Sequence, residues 1–269
     1  MPANWIDASS LSFNSLLLLE RVQLSWWPSW SSLPHAELAI ALSANPAVDW
    51  YLRHKCPELV PWLDAVIRAA GPGRDATTLT TRTIRAAEIS VLASLQDVLV
   101  YALDPDIYDR LPFLRWDSTE LTGLVDFSGK VVIDVGAGTG RLTWLAAEKA
   151  AAVYAVEPVN NLRDYLWQKI KDKQIRNVFP QDGLITRLPF QDRFADVTMG
   201  GHVYGDEPEA ELKEMERVTR VGGMVILCPG NRDRDDAVHT YLVGQGYAWS
   251  RFEEPQDGIK RKYWKTVTG

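Results

Sequence analysis

The chain has little cysteine, no excess of positive charge and no long apolar run, and each shortage closes off a class of protein. Only Cys56 and Cys228 occur in 269 residues, and each sits beside a proline in an apolar context. Far apart in sequence and in such surroundings, both are expected to be buried free thiols rather than a disulfide or a metal site. That usage fits a reducing compartment, and a cytoplasmic location is expected. Net charge is −6, and neither half carries the basic patch that neutralises phosphates, so no nucleic-acid partner is expected. The densest cationic run, Lys260-Arg261-Lys262, reads as the solvated face of an edge strand, where lysine discourages strand addition. No stretch approaches the ~18 apolar residues of a membrane span. The run Leu16-Leu17-Leu18-Leu19 ends at Glu20-Arg21 with nothing basic before it, so neither a membrane partner nor a signal peptide is expected.

What is present falls into two patterns. Up to about residue 114 the chain reads as helices: a dense apolar block over 13–27 that stops at Pro28, then 34–42, 48–55 and 57–70, closed by Gly71-Pro72-Gly73. A longer helix is expected over 81–102, where Ile84, Ala87, Ile89, Leu92, Leu95, Val98 and Leu99 recur at helical spacing. Tryptophan is abundant here: Trp5, Trp26, Trp27, Trp30, Trp50 and Trp62. Aromatic residues at helical spacing pack a core. Alternatively, Trp26, Trp27 and Trp30 line a substrate pocket or an interface.

From Lys130 short β-branched runs alternate with helical patterns. Strands are expected over 131–135, 153–156, 177–179, 195–199 and 224–228, and helices over 141–150, 162–171, 209–218 and near 235–244. This alternation predicts an α/β fold with a parallel sheet. Runs at 247–252 and 259–267 flank Glu254-Pro255-Gln256-Asp257-Gly258 and predict an appended antiparallel hairpin. Two regions follow, a helical one over 1–115 and an α/β domain over 116–269.

The turn Asp134-Val135-Gly136-Ala137-Gly138-Thr139-Gly140 leaves the first strand and enters a helix. Glycines there allow left-handed backbone and close ligand approach, in the crevice at the strand ends where open parallel sheets bind ligands. A glycine loop alone is weak evidence. The spacing is G-x-G-x-G with an acid two residues ahead, not the dinucleotide G-x-G-x-x-G, and Gly-Lys-Ser/Thr is absent. The second strand ends at Glu157, whose carboxylate can accept from two ribose hydroxyls. The third ends at Gln181-Asp182-Gly183, where an acid can accept from an adenine amino group.

These features resemble the class I S-adenosylmethionine-dependent methyltransferases, close to the methyltransferase type 11 group, over residues 130–229. Leu188-Pro189-Phe190, then Phe194-Ala195-Asp196-Val197, resembles the approach to the fourth strand. Glu214-Met215-Glu216-Arg217-Val218-Thr219-Arg220-Val221-Gly222-Gly223 resembles the helix and turn before the fifth. The resemblance implies a Rossmann-like, seven-stranded, mostly parallel sheet in the order 3-2-1-4-5-7-6, with the last strand antiparallel. It implies S-adenosylmethionine as cofactor. Asp134, Gly136, Ala137, Gly138 and Gly140 would shape the methionine end. Glu157, with Pro158 after it, would bind ribose, Asp182 and Gly183 would face adenine, and Gly200 and Gly201 would lie beneath the sulfonium.

Methyl transfer from a sulfonium is an in-line displacement that needs near-attack geometry and exclusion of water. A base is required only when the nucleophile arrives protonated. The segment Gly200-Gly201-His202-Val203-Tyr204-Gly205-Asp206 stands where an acceptor approaches, and it lacks the Asn/Asp-Pro-Pro-Tyr/Phe of enzymes that methylate planar nitrogen. His202 is a candidate base and Tyr204 a candidate hydrogen-bond partner of the acceptor. The competing reading of His202 is a ring packed over the cofactor's methionine end. A small-molecule acceptor is expected. The alternatives are a protein methyltransferase that docks its partner on the tryptophan-rich helices, and a non-catalytic cofactor-binding module. Region 1–115 is expected to form a lid or pocket wall.

Overall fold

The structure is a computed structural model that describes residues 5–71 and 79–269. The chain divides into two compact units, Met1–Tyr108 and Asp109–Gly269. Pro72 and Gly73 of the expected helix stop lie outside the described residues. Gly71 itself ends a helix at φ +74°.

In the first unit the apolar block is not one helix. It forms a 3-10 turn Phe13–Leu18, the short helix α1 (Arg21–Ser25) and another 3-10 turn, Trp27–Ser29. Glu20 and Gln23 make a reciprocal capping box that starts α1 afresh, which satisfies backbone N–H groups a continuous helix would bond internally. Then come α2 (His35–Ala44), α3 (Pro46–Lys55), α4 (Val60–Ala70), α5 (Thr81–Ser94), α6 (Gln96–Leu103) and α7 (Pro105–Asp109). The helix expected over 81–102 is thus two helices, bent by 83°. Leu95 leaves helical geometry at the joint. The bend turns Val91 and Leu92 before it, and Val98 and Leu99 after it, onto one core that also holds Leu38, Leu52 and Leu63. Trp27 is fully buried in that core, with Trp26, Trp30 and Trp62 packed against it. Trp50 is exposed and stacks on His54 with ring centroids 4.1 Å apart.

In the second unit the sheet contains β1 (Val131–Val135), β2 (Ala152–Val156), β3 (Val178–Gln181), β4 (Ala195–Gly200), β5 (Thr219–Leu227), β6 (Ala248–Glu254) and β7 (Gly258–Thr266), in the order 3-2-1-4-5-7-6. The remaining helices are α8 (Thr119–Thr122), α9 (Arg141–Ala147), α10 (Asn160–Asp172), α11 (Pro208–Val218) and α12 (Ala237–Gly244). Strand β7 alone runs against its neighbours, pairing antiparallel with both β5 and β6. This is the Rossmann-like sheet the resemblance implies. Strand β5 begins earlier than expected, because its Gly-Gly pair lies within it. The register to β4 jumps from Ala195↔Thr219 to Val197↔Met224, and Gly222 takes φ +80° in the resulting bulge. Two apolar layers flank the sheet. Leu142, Ala146, Leu166 and Trp116 belong to one, and Leu212, Met215, Leu242 and Tyr263 to the other.

A further expectation is overturned. Lys260, Arg261 and Lys262 are not a solvated edge but are buried. Strand β6 is the edge, and β7 lies inside, buried on both faces. Side chains alternate across a strand, so Lys260 and Lys262 point to one face and Arg261 to the other, and each finds a carboxylate there. Lys262 pairs with Glu120 at 2.7 Å, Arg261 with Asp233 at 2.8 Å, and Lys260 with Asp257 and Glu254. Cys56 and Cys228 are buried and free. Among the described residues no single helix is long and apolar enough to cross a membrane.

Candidate cofactor and acceptor site

The site is built where β1 and β4 end side by side. After β1 the chain turns through three left-handed glycines, Gly136 (φ +64°), Gly138 (φ +55°) and Gly140 (φ +94°), and enters α9. A Cβ on Gly136 would stand 2.2 Å from Val203 Cγ1, and one on Gly200 would stand 2.7 Å from Val203 Cγ2. Gly140 leaves no room either, since the Trp144 ring would be 2.5 Å away. Beneath the turn Asp134 is buried and accepts from Thr143 Oγ1 at 2.5 Å. Burial pushes its carboxyl up to about 7, with the Glu157 charge adding to the rise and the Thr143 hydrogen bonds opposing it. Thr139 Oγ1, buried in the same turn, has no hydrogen-bond partner.

Glu157 follows β2, buried, and its two oxygens accept from the Gly138 and Val159 N–H groups, both at 2.9 Å. These two bonds fix the orientation of the Glu157 carboxylate. Pro158 carries the chain onward to α10. Beyond β3, Asp182 is exposed and pairs with Arg163 at 3.1 Å. Arg163 also donates to the Glu157 carbonyl at 2.6 Å, tying the ends of β2 and β3 together. At Gly183 a Cβ would meet Pro189 and Val156 at 2.9 Å. A glycine cradle that a Cβ would fill, an orphaned buried hydroxyl and carboxylates at successive strand ends fit a charged nucleoside ligand such as S-adenosylmethionine.

After β4 the chain splits its side chains between the two faces of the sheet. Gly201 passes close to the Cys228 carbonyl, to which a Cβ would come within 3.0 Å. His202 takes φ +59°, and its N–H donates to the Pro229 carbonyl at 2.9 Å. Its ring meets Phe113 edge-on at 5.6 Å, and Nε2 lies 2.6 Å from Glu254 Oε1. The residue packed on the glycines is therefore Val203, not His202. Tyr204 packs against the opposite apolar layer and its hydroxyl donates to the Pro208 carbonyl at 3.0 Å. Burial and nearby Tyr241 and Glu211 push that phenol up. Glu211, itself buried, accepts from the Gly205 and Glu207 N–H groups at 2.7 and 2.9 Å and anchors the segment.

Sequence reasoning missed Glu254, Lys260, Phe113 and Glu211. A signal for Glu254 was available. In β6, Phe252 and Glu254 share a period-two face, and that face is buried. An acid in phase with a core phenylalanine is an acid with a partner.

Residues 133–227 match the methyltransferase-domain family. An uncharacterized methyltransferase of Anoxybacillus flavithermus is 25% identical over 185 residues, 65% of this chain and 80% of that one. A demethylmenaquinone methyltransferase of a Geobacillus strain is 30% identical over 118 residues, 42% of this chain and 50% of that one. A solved S-adenosylmethionine-dependent methyltransferase of Aquifex aeolicus aligns with TM-score 0.48 at 18% identity, over 62% of this chain and all of that one. The sheet order, the family match and the curated relatives agree. Over residues 133–227 the chain carries a methyltransferase domain, which makes it an enzyme with S-adenosylmethionine as methyl donor.

Proposed function

We propose that this enzyme methylates a small-molecule acceptor, which approaches beside His202. In this reading Asp134, Gly136, Ala137, Gly138 and Gly140 hold the methionine end, Glu157 and Pro158 the ribose, Asp182 and Gly183 the adenine, and Gly200 and Gly201 underlie the sulfonium. One observation carries the assignment of His202 to the acceptor. Val203 occupies the surface of Gly136 and Gly200, so the histidine is free of that packing role. Tyr204 is assigned to fold support, because its hydroxyl already donates to Pro208. The net charge of −6 argues against a nucleic-acid acceptor. Residues 1–115 carry acceptor specificity in this reading, since the methyltransferase match leaves them uncovered.

The test has two parts. S-adenosylhomocysteine binding by calorimetry should fall in Glu157→Ala and persist in His202→Gln. Turnover of S-adenosylmethionine with panels of small metabolites and of peptides should favour the small molecules, with kcat reduced in His202→Gln. Methylation confined to peptides would give the reading to a protein methyltransferase. Tight binding with no turnover on either panel would give it to a non-catalytic module.

A further inference from the structure

We propose that Glu254, backed by Lys260, is the positioning residue for His202, and that the pair equips the acceptor site for a nucleophile that arrives with its proton, a hydroxyl group. This rests on the reading that the acceptor approaches beside His202.

Glu254 is the last residue of β6 and is fully buried, while the His202 side chain is 29% exposed. The ring thus joins a sealed carboxylate to the open end of the sheet. A carboxylate and an imidazole nitrogen 2.6 Å apart cannot face each other lone pair to lone pair, so a proton lies between them. With the carboxylate ionised, that proton belongs to Nε2, which donates to Oε1. Nδ1, which has no hydrogen-bond partner among the described residues, is then the unprotonated nitrogen. A neutral imidazole fixed in one tautomer by a carboxylate is the arrangement that prepares a histidine to take a proton.

The charges behind it agree. Lys260 Nζ lies 3.3 Å from Glu254 Oε2 and also binds Asp257. One cation shared by two carboxylates leaves a net negative charge facing the ring. If Glu254 served only to compensate Lys260, Asp257 would already do so, and nothing would require Oε1 to meet the histidine. The backbone also fixes the ring. His202 is a non-glycine residue in the left-handed region, held by its N–H bond to Pro229, and strain of this kind collects at working sites.

The chemistry follows. A neutral amine or a thiolate carries a lone pair without help, whereas a hydroxyl must lose its proton during attack. The proton of the acceptor O–H passes to His202 Nδ1. As the acceptor oxygen bonds the methyl carbon, the carbon–sulfur bond breaks and its electron pair returns to sulfur, leaving a methyl ether and S-adenosylhomocysteine. The positive charge of the sulfonium has then moved to the imidazolium, which releases its proton to water.

The pair can be read without knowing the acceptor. Long-range proton–nitrogen spectra of the full chain with nitrogen-15 histidine distinguish the two neutral tautomers among its 4 imidazoles. The signal that vanishes in His202→Gln should be the Nε2–H tautomer with a downfield Nε2 proton. Glu254→Gln should remove that proton and mix the tautomers, leaving the other imidazoles unchanged, and Glu254→Asp should restore part of the preference. An Nδ1–H tautomer, or a His202 signal indifferent to Glu254→Gln, overturns the proposal. Turnover with catechol and simple phenols, set beside the matching anilines and thiophenols, tests the acceptor class. Phenols should be preferred, and Glu254→Gln should lower kcat about 100-fold with KM and S-adenosylhomocysteine affinity within about twofold. Preferred methylation of anilines or thiophenols, with both variants at wild-type kcat, overturns it. If peptides alone are methylated while the tautomer signature stands, the small-molecule reading fails and the positioning pair survives.

Discussion

The helical unit and the sheet unit bury different things. Among the described residues, the buried polar side chain of the first is Gln23, which accepts from the Glu20 N–H at 3.0 Å and donates to the Val98 carbonyl at 3.1 Å. Around it lie Phe13, Trp27 and a set of leucines. The second unit buries Asp134, Glu157, Glu211, Glu254, Lys260, Arg261 and Lys262. A buried charge costs several kcal/mol unless it is paired and hydrogen-bonded. A helical core of apolar shape minimises that cost, whereas a unit that must present carboxylates and a histidine at its strand ends accepts it. The concentration of buried charge in one unit marks where chemistry, rather than packing alone, sets the residue.

Four substitutions would break or sharpen this contrast, the largest first. Gly136→Ala places a methyl against Val203 in a left-handed turn. Backbone strain of about 1–2 kcal/mol and overpacking of about 1–3 kcal/mol should lower the unfolding free energy by denaturant titration, and S-adenosylhomocysteine binding by calorimetry should disappear. Adding Val203→Ala should recover stability, and no recovery would show that the Val203 contact is not what constrains the glycine. Lys262→Ala leaves Glu120 without its cation in a largely buried setting, and removal of one partner should cost about 3 kcal/mol. A loss below about 1 kcal/mol would mean that the buried charges of the sheet unit are no more demanding than surface ones.

Asp134→Asn tests the carboxyl that burial raises to about 7. The unfolded chain ionises near the ordinary 3.8, so between these values the folded state holds the extra proton. Its stability is therefore relatively highest at low pH and is lost as pH rises toward and through 7. The asparagine variant, free of that penalty, should melt several degrees above the wild type at pH 8.5 and no higher at pH 4. A stability difference independent of pH would contradict the buried-acid assignment. The smallest effect belongs to Arg21→Ala in the helical unit, whose pair with Glu58 is exposed on both sides. Exposed pairs contribute little, and no measurable change in the unfolding midpoint is expected.

Much of the second unit was legible because its signals are local. Strands β1 and β2 are short valine-rich runs between turn residues, and the glycine spacing, Asp134 and Glu157 stand within one βαβ stretch. The helical unit was less legible. Whether 81–102 makes one helix or two depends on where a core sits, and both versions satisfy the same 3.6-residue period. The apolar block over 13–27 has the same ambiguity, which the capping pair Glu20 and Gln23 resolves only once its geometry forms.

By itself the sequence determined the alternation of elements and the glycine turn, because side-chain period and turn residues are properties of neighbouring positions, while the seven-stranded order and the methyl donor were expected through the family resemblance those residues carry. Only the tertiary structure decided what Lys260, Arg261, Lys262, Glu254 and Val203 do. Their partners lie on other strands and loops, Glu254 meeting a histidine 52 positions away and Lys262 a glutamate 142 positions away. A charge reads as solvent-exposed in a linear chain. It becomes a buried partner only when a strand is inserted inside a sheet, and strand order is set by packing among distant segments rather than by the residues beside it.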